Sequence, residues 1–325
     1  MAEYKAIRGH TIRTVAGDPA VLQAGDIWYS NTTRKIRGAK LGTGAWSTGG
    51  ALNNAKQKMA GAGIQTAALV AGGQRPPGSI QETESYDGSS WTEVGDINTA
   101  KRNLPGVGTQ TAAMVMGGFP GALAEVEQYN GTSWTEIADL NVGRNVAAAA
   151  GISTAALFWS GNDGTNNFAT AELWDASSWT EVADLNTTRG YARSCCGTST
   201  AALQIAGWIY PPPGPTYTQN VEEWNGASWT EVGDVNSTGK ETRAGAGITT
   251  AALVFGGGPP TGQTEAYDGT SWTEVADLSV ARAALSTASA APNTAALAVG
   301  GISPTYRDAT EEWDQSVAAS SFTSS

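Results

Sequence analysis

Thr250–Val275 reads TAALVFGGGPPTGQTEAYDGTSWTEV. It holds a short apolar segment closed by glycines, a Pro/Gly loop, a segment ending in an aromatic, an Asp-Gly turn, and a segment opened by Trp. The same text recurs along the 325-residue chain. Its TAAL opening stands at Thr66, Thr111 (with Met114 for Leu), Thr154, Thr200, Thr250 and Thr294, at spacings of 45, 43, 46, 50 and 44 residues. A Gly-Gly or small-Gly pair follows each opening: Gly72-Gly73, Gly117-Gly118, Ser160-Gly161, Ala206-Gly207, Gly256-Gly257 and Gly300-Gly301. An aromatic comes next, at Tyr86, Tyr129, Trp174, Trp224, Tyr267 and Trp313.

The closing Trp is present in five copies, at Trp91, Trp134, Trp179, Trp229 and Trp272. The sixth copy ends without it, as EEWDQSVAASSFTSS, and a matching Trp stands instead near the N-terminus, Trp46 in AWSTGGALNNAK. A period near 45 residues with four short apolar segments is the pattern of a propeller blade. In the fifth copy the strands are expected at Ala244–Ile248, Ala251–Phe255, Thr264–Tyr267 and Trp272–Val275. The displaced Trp predicts that the segment around Trp46 supplies the last strand of the sixth sheet and closes a ring, which removes the unpaired edges an open array would leave.

The run GAGIxTAALVxGG…TExYDGxSWTEV…LNxxR resembles the kelch repeat, over roughly residues 41–318. That resemblance implies an all-β fold: a six-bladed kelch-like β-propeller closed by an N-terminal strand and preceded by an N-terminal arm with a β-hairpin. The expected divisions are an arm at 1–40, the propeller at 41–318 and a C-terminal tail at 319–325. Within the arm, GDIWYSNTTRKIRG predicts strands at Ile27–Tyr29 and Lys35–Arg37 around a turn from Ser30 to Thr33.

Net charge is −11, unevenly spread. Residues 1–40 carry seven Lys/Arg against three Asp/Glu, and the rest carries twelve against twenty-seven. An acidic body argues against nucleic acid as a partner. There is no apolar run long enough to insert in a membrane, and MAEYKAIRGH lacks the plan of a signal peptide. The two cysteines, Cys195 and Cys196, are adjacent and on one strand would face opposite ways, which disfavours a disulfide between them.

Residues that recur in phase read as architecture. The glycine pair permits close backbone approach, the recurring aromatics fill space between sheets, and the Ala-Ala of TAAL suits crowded inner strands. Glu84, Glu127, Glu172, Glu222, Glu265 and Glu311 precede the third-segment aromatics by two residues. Lys56, Lys101, Arg144, Arg189, Lys240 and Arg282 end the connections before each first strand. A catalytic site is single and breaks repeat symmetry, so these predict a repeated Glu–cation brace and not six sets of catalytic carboxylates.

No catalytic set is expected. His10 is the one histidine, too few for a Ser/His/Asp constellation in the repeats or for a zinc or copper centre. The turn Tyr267–Trp272 is similar to the sialidase Asp-box, but its Gly and Trp each fall one residue too early. GNDGTNN (Gly161–Asn167) lacks the spacing and closing Glu of a calcium loop and reads as a turn. The chain is therefore expected to be non-enzymatic, with no cofactor and no metal.

Binding is expected where the copies disagree. Strand parity puts the loops between second and third strands on one face with the connections between sheets. All the notable insertions fall in those loops, the longest being WIYPPPGPTYT (Trp208–Thr218). The candidate binding residues are Trp208, Tyr210, Tyr217, Phe119, Phe168, Arg75 and Tyr306, chosen because stiff aromatics lose little entropy on binding a sugar or protein surface.

The leader MAEYKAI…DP…GDIWYSNTTRKIR resembles the opening of virion structural and tail-fibre-like proteins of marine tailed phages. That resemblance implies a viral structural protein located in the virion after assembly in the host cytoplasm. Arg8, Arg13, Trp28, Tyr29, Arg34, Lys35 and Arg37 would join it to other virion proteins, and the loop face would meet a host surface glycan or protein. The alternatives are a cellular kelch-type protein-interaction module and a glycan-binding or glycan-cleaving propeller.

Overall fold

A computed structural model of the chain describes residues 12–23, 25–209, 216–237 and 243–321. The described residues are all strand, turn and irregular backbone, with no helix. They divide into two compact units, Met1–Gly44 with Gln315–Ser325, and Ala45–Asp314.

The smaller unit is one four-stranded sheet. Ile27–Ser30 and Lys35–Leu41 form the expected hairpin, in antiparallel register Tyr29↔Ile36. Arg13–Val15 adds in parallel to the first hairpin strand, and Val317–Ser321 adds antiparallel to the second. The segment read from sequence as a free tail from 319 thus begins, through Ser321, as an edge strand of the arm's own sheet.

In the larger unit each sequence copy builds one small antiparallel sheet with strands in sequential order. Sheet 1 comprises Ala60–Ile64, Ala67–Ala71, Thr83–Tyr86 and Trp91–Val94. Sheet 2 comprises Gly106–Thr109, Ala112–Met116, Val126–Tyr129 and Trp134–Ile137. Sheet 3 comprises Ala148–Ile152, Ala155–Trp159, Ala171–Trp174 and Trp179–Val182. Sheet 4 comprises Cys195–Gly197, Ala202–Ile209, Thr216–Trp224 and Trp229–Val232. Sheet 5 comprises Ala244–Ile248, Ala251–Phe255, Thr264–Tyr267 and Trp272–Glu274, within one residue of the expected limits.

Sheet 6 has three strands, Leu297–Val299, Thr310–Asp314 and, from the other end of the sequence, Ala45–Thr48. Trp46 lies opposite Trp313 in the antiparallel ladder. The first strand of this sheet shrinks to a single bridge, Ser286↔Val299. Beyond it the backbone bonds sideways: Ala290 N–H donates to Gly63 O (2.9 Å), and Ala291 O accepts from Gly247 N–H (2.9 Å).

Neighbouring sheets are stitched by the residues that recur. In every sheet the third-strand aromatic packs on the fourth-strand Trp, with ring centroids from 4.8 Å in Tyr86–Trp91 and Tyr267–Trp272 to 5.5 Å in Trp224–Trp229. All of these indole N–H groups but that of Trp134 then reach the preceding sheet, as in Trp229 to Ala183 O (3.1 Å) and Trp272 to Gly233 O (2.9 Å). For sheet 1 the partner belongs to sheet 6: Trp91 Nε1 donates to Thr310 Oγ1 at 3.0 Å.

A second set of links runs through the backbone. Asn103 N–H bonds Lys58 O, Val146 N–H bonds Asn103 O, Ala192 N–H bonds Val146 O, and Lys58 N–H bonds Ala284 O, each at 2.9–3.1 Å. The glycine pair serves this contact. Gly72 and Gly73 take φ of +62° and +114°, and a Cβ on Gly72 would lie 2.6 Å from Lys101 O. Where the sequence departs from Gly, Ser160 and Ala206 hold the same left-handed backbone, at φ 60° and 53°.

Candidate functional site

The six charged pairs sit inside the sheets. Lys56–Glu84 (2.6 Å), Lys101–Glu127 (2.8 Å), Arg144–Glu172 (2.5 Å), Arg189–Glu222 (2.5 Å) and Arg282–Glu311 (2.6 Å) each join a third strand to the connection before its own sheet. The cations are fully buried. Each carboxylate also accepts backbone N–H bonds, from Asn53, Asn98, Asn141, Asn186 and Ser279. That partner is the Asn of the LNxxR run, whose role the charge pattern alone did not reveal. With every site closed to solvent and spoken for, these carboxylates are braces.

The fifth pair corrects the sequence reading. Lys240 lies outside the described residues, and Arg243 meets Glu265, at 3.3 Å. In the five other copies the cation follows the Asn or Ser of this run by three residues; here four residues are inserted, and the cation that fits comes from the edge of the next strand.

The proposed loop residues are held apart. Arg75 is tied to Glu82. Phe119 lies under the Arg102 guanidinium at 4.0 Å, Phe168 is 5.4 Å from that of Arg144, and Tyr306 is half-buried in a bridge with Ile302. Tyr210 lies outside the described residues. The described residues of the longest loop form a ribbon: the second and third strands of sheet 4 extend to Ile209 and from Thr216, with Trp208 opposite Tyr217. Opposed residues of an antiparallel pair share a face, so Trp208 and the exposed Tyr217 stand side by side.

Trp208 borders a pocket. The pocket holds about 550 Å3 and is lined by Trp208, Tyr191, Asn162, Asn167, Gly164 and Thr165. Tyr191 and Trp208 pack with ring centroids 4.6 Å apart. The backbone fixes this pair, because Gly190 N–H bonds Trp208 O (2.8 Å) and Trp208 N–H bonds Gly190 O (3.0 Å). Gly190 leaves room for the Asn167 amide: a Cβ would stand 2.3 Å from Asn167 Oδ1 and displace it. The opposite wall is the GNDGTNN loop, folded as the expected turn, with Asp163 Oδ1 accepting from Thr165 and Asn166 N–H at 2.7 Å. Those bonds hold the Asp163 carboxyl below its ordinary range, the Asn166 N–H contributing most. Asn167 Nδ2 is a buried donor without a partner.

Sequence reasoning found Trp208 and missed Tyr191, Asn162 and Asn167. Tyr191 stands in a connection between sheets, and the two amides were set aside with their loop. The signal available was local: Tyr191 is the aromatic departure at the position held by Lys58, Asn103, Val146 and Ala284, all at left-handed φ.

In the arm, Trp28 is 2% exposed and forms the core of its sheet, with Tyr29 half-buried. Arg34 and Lys35 are exposed at the hairpin turn, and Arg37 pairs with Asp18 at 2.7 Å. Arg8, and the side chain of Arg13, lie outside what is described. Among the described residues, no group of three or more His, Cys, Asp or Glu is placed to hold a metal ion, and no helix could cross a membrane.

The chain matches no known family model and no curated protein. What the fold and site define is a class: an all-β repeat protein of small antiparallel sheets in a propeller-like order, with an aromatic and amide pocket where the repeats differ.

Proposed function

We propose that Ala45–Asp314 is a closed, six-bladed, kelch-like β-propeller, and that the chain is a non-enzymatic virion surface protein presenting the Trp208 pocket to a saccharide of the host surface. Closure is supported by two links between first and last sheets, Lys58 N–H to Ala284 O and Trp91 Nε1 to Thr310 Oγ1, and by the Trp46↔Trp313 ladder, in which an N-terminal strand completes the last sheet. The virion assignment rests on the resemblance of the leader and on the basic arm, which has its own sheet.

The observation that carries the binding reading is the pocket itself. An indole and a phenol ring beside two carboxamides form the chemistry that takes a sugar: flat apolar faces for C–H groups and amide donors and acceptors for hydroxyls. A glycan array with the full chain tests it. Binding to a defined glycan class, lost in Trp208→Ala and Asn167→Ala variants that keep the parental circular dichroism, is the expected result. An array with no hits, or hits indifferent to both substitutions, would refute it. For the arm, deletion of residues 1–40 is expected to abolish particle association while leaving the propeller folded.

A further inference from the structure

At the middle of the larger unit the first strands line a partly open cavity of about 50 Å3, with residues of all six sheets, among them Gly61, Gly106, Ala149, Arg193, Arg243 and Thr287. Its wall should be small and apolar by the logic of the repeat. Counted back four residues from the left-handed glycines Gly63, Gly108 and Gly151, the position holds Met59, Leu104 and Ala147, all fully buried. The same count from Gly197 and Gly247 gives Arg193 and Arg243. Two arginines therefore take the place of apolar residues in adjacent sheets, and both residues line the cavity.

Their charges are not balanced. Arg243, 1% exposed, spends Nη1 on Glu265 and on the Ser237 hydroxyl, while its Nε and Nη2 have no partner. Arg193 has no carboxylate partner among the described residues. Its Nη2 donates across the cavity to Met59 O at 2.6 Å, which fixes the guanidinium plane and leaves Nη1 buried and unpartnered. Sheet 6 adds two more unpartnered groups on the same wall, Thr287 Oγ1 and Ser289 Oγ. Burial draws the Arg193 guanidinium down to about 10, so it stays charged at neutral pH. A buried charge and several buried donors without partners are costly, and native structures rarely leave such a set unmet.

We infer that this cavity is a binding site for one small monovalent anion of halide size, held between Arg193 Nη1 and Arg243 Nη2 with the Thr287 and Ser289 hydroxyls as further donors. Charge sets the valence: with Arg243 paired to Glu265, one positive charge is in surplus. Volume sets the size, since about 50 Å3 admits an ion or a few waters and no sugar or peptide. The site is separate from the Trp208 pocket and shares no lining residue with it.

The test uses the full chain in sodium gluconate, an anion too large for the cavity, titrated with sodium bromide at constant ionic strength. Thermal unfolding should rise with bromide and saturate, as stabilisation by a single ligand requires, and crystals grown in bromide should give an anomalous peak between Arg193 and Arg243. In Arg193→Met, which restores the residue of sheet 1, the saturating rise should vanish or need about tenfold more bromide. Arg193→Gln serves if the Met variant does not fold. The inference is overturned by a linear rise without saturation, by a rise unchanged in the variants, or by anomalous peaks confined to the surface.

Discussion

Replacing Glu222 with Gln isolates the energy of one brace. Arg189 Nη2 and Glu222 Oε1 are 2.5 Å apart, with side-chain exposures of 0% and 1%. The other carboxylate oxygen accepts from Asn186 N–H (2.7 Å) and Nδ2 (2.9 Å). Gln keeps the shape but turns an amide donor toward one of two sets of donors, and it removes the charge that offsets a buried guanidinium. At an effective dielectric of about 20, opposite charges about 4 Å apart attract by about 4 kcal/mol. Measured losses on removing one partner of a buried pair run about 3–5 kcal/mol.

Unfolding of about 270 residues between Ala45 and Asp314, at about 2.1 cal/mol/K each, carries an entropy near 0.6 kcal/mol/K. Glu222→Gln should therefore lower Tm by about 5–9 K in differential scanning calorimetry. Arg189→Met combined with Glu222→Leu should cost less than Glu222→Gln, because no charge is left stranded. Asp18→Asn, breaking the part-exposed Arg37–Asp18 pair, should change stability by under about 1 kcal/mol. A fall of less than about 2 K for Glu222→Gln, or a double variant worse than the single one, would refute the brace.

Other substitutions address the turns, the packing and the closure. Asp87, Asp175 and Asp268 accept N–H bonds within their turns; the Ser90 N–H, then the Ser89 hydroxyl and N–H, hold Asp87 down to about 2, while Asp175 is lowered chiefly by the Ser177 hydroxyl and Asp268 by the Ser271 N–H. A folded value below the unfolded one, near 4, adds stability above pH 4 that is lost as pH falls through the lowered value. Changing all three to Asn, which Asn130 and Asn225 show fits the same turn, should flatten the loss of Tm between about pH 4 and 2; an unchanged acid limb counts against it. Trp272→Ala removes a ring 5% exposed and stacked on Tyr267, and should cost about 3–5 kcal/mol in urea titrations. Trp46→Ala strips Trp313 and Phe255 of a neighbour and Thr264 of a hydrogen bond; it should cost about 2–3 kcal/mol and speed hydrogen exchange in Thr310–Asp314 ahead of the other sheets.

The strands were legible because repetition amplifies weak signals. A four-residue segment such as WTEV says little once and a great deal when it recurs four times, with WTEI in the remaining copy, and the single displaced Trp46 was enough to predict that its segment supplies the last strand of the sixth sheet. The braces were legible in phase and misread where phase slipped, since the inserted residues before Arg243 put Lys240 within one residue of where a count expects the cation. The pocket was half legible. Trp208 stood out by residue type, whereas Tyr191 reaches it through a left-handed backbone and Asn167 through the space Gly190 leaves, and neither effect is written in composition. Val317–Ser321 gave no signal at all: a Ser/Ala-rich edge strand is defined by its partner, Lys35–Leu41.

Both candidate sites trace to one irregular stretch. From cation to left-handed glycine the chain takes seven residues in sheets 1, 2 and 3, Lys56–Gly63, Lys101–Gly108 and Arg144–Gly151, but eight in sheet 4, Arg189–Gly197. Within this stretch Tyr191 lines the outer pocket and Arg193 the central cavity. In sheet 5 the inserted connection makes Arg243 serve as brace and cavity wall together. In sheets 4 and 5 the altered connections bring an aromatic or charged group to a concave surface, so deleting one residue between Arg189 and Gly197 should disable both sites while sparing the strand ladders of sheets 1 and 2.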